Sequence, residues 1–148
     1  MKEKHSPSSI FMLTMSLLFS LNAASSEPAY SKKTVLEWMT MVVVPNSDIL
    51  WNVDDPRTAA EWQVLENAAA RIIEASVAIE KEARGPEGRL WSNETAWKEL
   101  NSQMKQAAIQ AKAASEARDL DKLLDAGDVL YPPCESCHLK YNPGVVQQ

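Results

Sequence analysis

Two cysteines, two histidines and four glycines are all that 148 residues contain, and each scarcity narrows what the chain can be. No glycine sits inside a stretch that alternates with period two, so nothing in the sequence supports a sheet. The only cysteines, Cys134 and Cys137, lie three residues apart, and a disulfide between them would close too small a loop to stabilise much. Basic charge is also short, at fifteen Lys and Arg against twenty Asp and Glu. No basic patch exists to displace counterions from phosphate, which excludes nucleic-acid binding.

What is present begins with an export signal. Lys2 and Lys4 precede an apolar run from Ile10 to Leu21, and small residues follow at Ala23, Ala24, Ser25 and Ser26. The run is too short to span a bilayer, so residues 1–26 read as a signal peptide, with an uncleaved anchor as the alternative. Cleavage after Ala24, Ser25 or Ser26 is sterically acceptable, and the lack of a cysteine there speaks against a lipid-modified N-terminus. Residues 27–148 then form one domain, without stable membrane insertion, that keeps thirteen basic and nineteen acidic side chains. Its formal charge of −6 favours solubility and steers towards basic partners.

Periodicity in this domain is helical, and four segments can be placed. The first runs from about Ser31 to Val44 with an apolar face of Val35, Leu36, Met39, Val42 and Val43. Pro45 should interrupt its hydrogen-bond ladder, leaving Asn46, Ser47 and Asp48 to cap a further turn through Trp51. A loop over residues 52–57 leads to a capping box at Thr58 and Glu61. The second helix carries Trp62, Leu65, Ala69, Ile72, Ser76 and Ile79 and reaches about Ala83, before a turn at residues 85–88. The third starts near Ser92 or Asn93, with Trp97, Leu100, Met104, Ala107, Ala111 and Ala114 on its seam. The fourth starts near Asp119 and places Leu120, Leu123, Gly127, Leu130, Cys134, Cys137 and Tyr141 on one face. Pro132 and Pro133 should kink or restart it, and residues 142–144 end it. The expected fold class is all-α, an antiparallel up-down-up-down four-helix bundle.

Within the fourth helix, Cys134-Glu-Ser-Cys137-His138 is the pattern of covalent haem attachment. Cysteines one helical turn apart can reach the two vinyl groups on one haem edge, and the adjacent His138 can bind the iron from the proximal side. The site thus calls for one covalent haem c near the C-terminal helix. Gly127, seven residues before Cys134, either leaves room for that group or is an ordinary small packing residue. Zinc would need further ligands, and a thioredoxin-type motif would need a strand before the cysteines; neither is present in the sequence. A Cys134–Cys137 disulfide in a structural helical protein remains the non-haem reading.

Past residue 26, His138 is the only histidine, which excludes two imidazoles on one iron. The sixth position falls to Met, Lys, a small exogenous ligand or nothing. Met39 lies in the apolar stripe of the first helix and is the candidate distal ligand, with packing as its other role. Met41 points elsewhere, and Met104 sits where a core filler is needed. Trp62 and Trp97 fall on core seams, whereas Trp51 and Trp91 lie at helix–loop junctions, where an indole can seal the bundle end or shield haem. Tyr131, before the double proline, either packs or hydrogen-bonds a haem propionate.

A four-helix pattern ending in Cys-x-x-Cys-His resembles the class II c-type cytochromes, the cytochrome c prime family. His138-Leu-Lys-Tyr141 carries the aromatic residue that follows the haem histidine by three in that family. A basic residue often comes next there; Asn142 stands in that place here, with Lys140 nearby. The resemblance implies a protein of the Gram-negative periplasm that exchanges electrons with redox partner proteins, and many relatives dimerise. The low-spin type places a first-helix methionine on iron and transfers electrons; the high-spin type has an apolar distal face and binds nitric oxide or carbon monoxide. Glu37-Trp38-Met39, followed by three valines and Pro45, looks more like the low-spin type, although Pro45 departs from the long uninterrupted first helix of the family. Enzymatic turnover is not indicated, since no nucleophile–base pair or paired carboxylate accompanies the motif.

Overall fold

The computed structural model describes residues 33–82 and 90–146. The expected signal peptide, the Ser31 start of the first helix, its second-helix end at Ala83 and the turn at residues 85–88 lie outside the described residues. Helices α1 (Val35–Trp38) and α2 (Val44–Trp51) flank a π-helical turn, Met39–Val43, and the three follow one another without a break. They are followed by α3 (Ala59–Glu82), α4 (Thr95–Ala117), α5 (Leu120–Tyr141) and a last turn, α6 (Pro143–Val146). Counting the α1–π–α2 run as one, the chain is an all-α bundle of four helices, with no sheet among the described residues.

The starts of the first helix and of α3 are both set by capping boxes. Thr34 accepts from the Glu37 amide at 3.2 Å while Glu37 takes the Thr34 amide at 2.7 Å, and Thr58 and Glu61 repeat the exchange at 3.2 and 2.8 Å. The first helix therefore starts at Val35, with Thr34 as its cap. Its buried stripe also differs from expectation: Leu36 is exposed, and Trp38 takes its place at 1% exposure. A side chain three residues after Val35 shares its face, whereas the next residue along is turned by about 100°.

Pro45 does not end the helix. Its ring would clash with the carbonyl four residues back and it offers no amide, so the preceding turn widens. The Val44 amide accordingly donates to Met39, five residues back. Because the helix never restarts, Asn46, Ser47 and Asp48 are not caps. Asn46 instead donates to the Val42 carbonyl at 2.6 Å, and Ser47 is buried.

Helix α4 packs against both α3 and α5, and α2 rests on α3 and α5. Between α3 and α4 the core is alanine-rich, with Ala68, Ala69 and Ala75 against Ala107, Ala108 and Ala111, framed by Ile72, Ile79 and Trp97. Small side chains let these helices approach closely, and each fully buried large one contributes roughly 1.5–3 kcal/mol. Helix α4 begins at Thr95, slightly after its expected start, and buries Asn101 next to the half-buried Leu100. The Asn101 amide is satisfied by the Trp97 carbonyl at 2.8 Å. Two residues, Arg118 and Asp119, join α4 to α5. Arg118 adopts a left-handed conformation (φ 54°), and Asp119 caps α5 by accepting from the Lys122 amide at 3.1 Å.

Helix α5 runs through Pro132 and Pro133 as one element, so of the expected kink or restart the restart does not occur. The carbonyls deprived of amide partners belong to Asp128 and Val129, both exposed, where water can satisfy them. The expected inner seam is otherwise present. Leu123, Gly127 and Leu130 are buried, and Cys134, Cys137 and Tyr141 pack partly buried against the core. Among the described residues no helix is long and apolar enough to cross a membrane.

Candidate functional site

A cleft of about 340 Å³ opens between the first helical run, α4 and α5, within the range of about 300–1,000 Å³ usual for small-molecule and cofactor sites. Helix α5 contributes Cys134, Cys137 and His138, all half-buried, together with Tyr131, Pro133 and Glu135. The facing run contributes Met39, Val43, Val44, Ser47 and Trp51, and α4 adds Leu100, Asn101 and Met104. The four residues singled out by sequence therefore line one cleft: two thiols and an imidazole on one helix, a thioether on another. Met41 is 64% exposed and takes no part, whereas Met104 is both core filler and cleft wall.

Continuity of α5 fixes the motif. Cys134 and Cys137 lie one turn apart on a regular helix, and His138 follows in its final turn. Burial pushes the Cys134 thiol up to about 11, with a smaller contribution from Cys137, and burial alone pushes Cys137 to about 11. Such thiols stay protonated at neutral pH, the opposite of the depressed values that activate disulfide-exchange cysteines. Among the described residues no three His, Cys, Asp or Glu side chains converge as ligands of a bare metal ion, so Cys134, Cys137 and His138 do not form a tetrahedral zinc corner. Two thiols one helical turn apart, an imidazole next to the second and a thioether on another helix lining the same cleft are a donor set that fits a haem held by two thioether bonds. The Ser47 hydroxyl, buried in this cleft with no hydrogen-bond partner among the described residues, adds a polar group that a bound molecule can satisfy.

Gly127 serves the cleft indirectly. It is not part of the lining; a Cβ there would lie 3.4 Å from the Trp51 ring, whose Nε1 donates to the Gly127 carbonyl at 3.0 Å. The glycine thus seats the indole, which meets Tyr131 edge-on at 6.2 Å across the cleft mouth. The Tyr131 hydroxyl donates to Glu135 at 3.4 Å.

At the other end of the motif, the Tyr141 hydroxyl donates to Glu94 at 2.9 Å, and Lys140 Nζ lies 3.0 Å from the same carboxylate. Lys140 first, then Tyr141, hold the Glu94 carboxyl below the usual carboxylate range. The Tyr141 ring packs edge-on against Trp97 at 4.9 Å and tilted against Trp91 at 5.3 Å. These contacts tie the last turn of α5, and with it His138, to the start of α4.

Ser47 and Asn101 belong to the lining although no sequence motif marks them as such, and Trp51 lines it from the helix end, the position expected to seal the bundle or shield haem. Pro45 was the available signal for Ser47 and Trp51, because a widened turn advances the inward face by one residue. Compared with known proteins, the chain matches no family model, no curated protein and no solved structure.

Proposed function

We propose that the protein is an exported c-type cytochrome carrying one covalent haem c, with Cys134 and Cys137 as thioether anchors, His138 as proximal ligand and Met39 as distal ligand, and that it carries electrons. The observation behind this reading is the shared cleft: Met39 faces the wall that bears Cys134, Cys137 and His138. A haem so held supplies a one-electron centre whose potential lies above that of a bis-imidazole one, since thioether sulfur favours ferrous iron. The chain's own residues position and shield it. Helix α5 holds the thiols and imidazole in fixed register, Val43, Leu100 and Met104 exclude water, and Glu94 with Tyr141 clamps the turn that carries His138.

The same reading takes the bundle as antiparallel, up-down-up-down, which the two-residue connection between the packed helices α4 and α5 supports for that pair. It takes residues 1–26 as the leader that delivers the chain to the periplasm of a Gram-negative bacterium, where haem is attached.

The test is an absorption spectrum of protein made in a host competent for covalent haem attachment, with haem retained after denaturation. Low-spin spectra in both oxidation states, and little carbon monoxide binding, are expected. Met39→Leu should convert the protein to high spin, and Met41→Leu should not. A five-coordinate high-spin spectrum in the unmodified protein overturns the electron-carrier assignment in favour of a gas-binding cytochrome. The apolar wall of Val43, Leu100 and Met104 around Met39 would then serve as an open distal pocket.

A further inference from the structure

We propose that the mouth of the cleft is the docking surface for a redox partner protein whose contact face carries a basic rim. This rests on the cytochrome reading above and goes beyond it by naming the surface and the charge of its occupant. Trp51, Tyr131 and Val44 line the cleft and are 41%, 54% and 46% exposed, so the wall of the cleft continues outward as an apolar patch. Aromatic rings that are part cleft lining and part surface form the short path by which an electron can leave.

On their own helices, the charges beside the two aromatics are acidic. Each aromatic has an exposed aspartate three residues before it, Asp48 ahead of Trp51 and Asp128 ahead of Tyr131, on the same flank of its helix. Glu135 stands four residues after Tyr131 and accepts its hydroxyl. Asp48 and Asp128 enter no salt bridge among the described residues, and no Lys or Arg side chain lines the cleft. The two lysines of α5 are engaged elsewhere, Lys122 with Asp119 at 2.6 Å and Lys140 with Glu94. An apolar centre with unpaired aspartates beside its two aromatics attracts a basic partner and repels a second copy of this chain, which would set the same carboxylates against one another.

The test follows one-electron oxidation of the ferrous holoprotein by stopped flow. The oxidants are cationic tris(phenanthroline)cobalt(III), anionic hexacyanoferrate(III) and, as protein probe, a ferric lysine-rich c-type cytochrome. Rates with the two cationic probes should fall as ionic strength rises, and the anionic one should do the reverse. Asp48→Asn with Asp128→Asn should slow both cationic probes by up to about tenfold at low salt, leaving the spectrum unchanged. Glu74→Gln with Glu80→Gln, on α3 away from the cleft, removes as much charge and should have little effect. Equal losses from the two pairs, or the same salt slope for all probes, overturn the proposal, as would self-association abolished by Tyr131→Ser. Protein lacking covalent haem overturns the cytochrome reading itself, whereas normal haem with unchanged rates overturns only the docking surface.

Discussion

Deleting Thr40 tests why the first helix contains a π turn. Removing a residue from an α-helix normally rotates one flank by about 100° and slides it ~1.5 Å, driving its buried face into solvent. Thr40 is exposed and lies in the one turn that holds an extra residue. An unbroken α-helix continuing from Val35 would turn Asn46 and Ile49 inward, yet Ser47 and Leu50 are the buried residues, at 2% each, and Ile49 is 39% exposed. Deletion should therefore leave both flanks facing the core. What it loses is the widened turn that spares Pro45 a clash with the Met41 carbonyl, a cost of about 3 kcal/mol in a regular helix interior. The exposed Thr40 bond to the Leu36 carbonyl, at 2.8 Å, adds less than about 1 kcal/mol. The deletion should cost about 3 kcal/mol with Pro45 present and less than about 1 kcal/mol in a Pro45→Ala background, a coupling of about 2–3 kcal/mol. Deleting the exposed Gln103 from α4, which has no bulge, puts Trp97 out of phase with Met104. Burial of about 150–250 Å² at ~25 cal/mol per Å² makes that cost roughly 4–6 kcal/mol. Urea unfolding followed by far-ultraviolet circular dichroism measures all four variants. Equal costs for the Thr40 deletion with and without Pro45 would refute the role given to the proline.

In protein without attached haem, alkylation of Cys134 and Cys137 by iodoacetamide should be slow at neutral pH and rise towards pH 11, not the ordinary 9.0. Between those values the unfolded chain releases thiol protons that the folded chain retains, so stability should fall as the pH rises through that window. Gly127→Ala should be neutral or slightly stabilising in thermal melts, because a Cβ at 3.4 Å from Trp51 is in ordinary contact and alanine gains about 1 kcal/mol of helix propensity; a clear loss of stability would show that the indole cannot accept it. Glu94→Gln should speed amide exchange in the last turn of α5, with no change in α3. In the unmodified protein the lowered Glu94 pKa makes the same protection fade only as the pH falls below the usual carboxylate range.

Where side chains report local geometry, the sequence is a sufficient guide. The Thr58 and Glu61 box, the Asp119 cap and the 3–4 seams of α3 and α5 follow from spacing alone, because each depends on residues within one or two turns. The prolines are different. The local rule, that a proline breaks a helix, is sound, but it does not say how the chain will absorb the break. At Pro45 it widens the preceding turn; at Pro132 and Pro133 it leaves carbonyls to water on the exposed side. Which happens depends on whether the freed carbonyl meets solvent or core, and that is a tertiary property. Asn101 is illegible for a related reason: a polar residue one place past Leu100 reads as the edge of the seam until the Trp97 carbonyl satisfies it inside.

The π turn also bears on the candidate site. Met39, Val43, Ser47 and Trp51 are spaced four residues apart, and that spacing drifts by about 40° per step in an α-helix. Over three steps the drift would carry Trp51 about a third of a turn from Met39, leaving one of them off the cleft. A wider first turn rotates less per residue, offsets much of that drift and keeps all four on one wall. Pro45 thus does more than interrupt a ladder. By forcing an extra residue into the turn that begins at Met39, it lets one helix present a thioether opposite Cys137 and His138 and an indole at the cleft mouth. Without that residue, a helix built on the same sequence would have to choose between them.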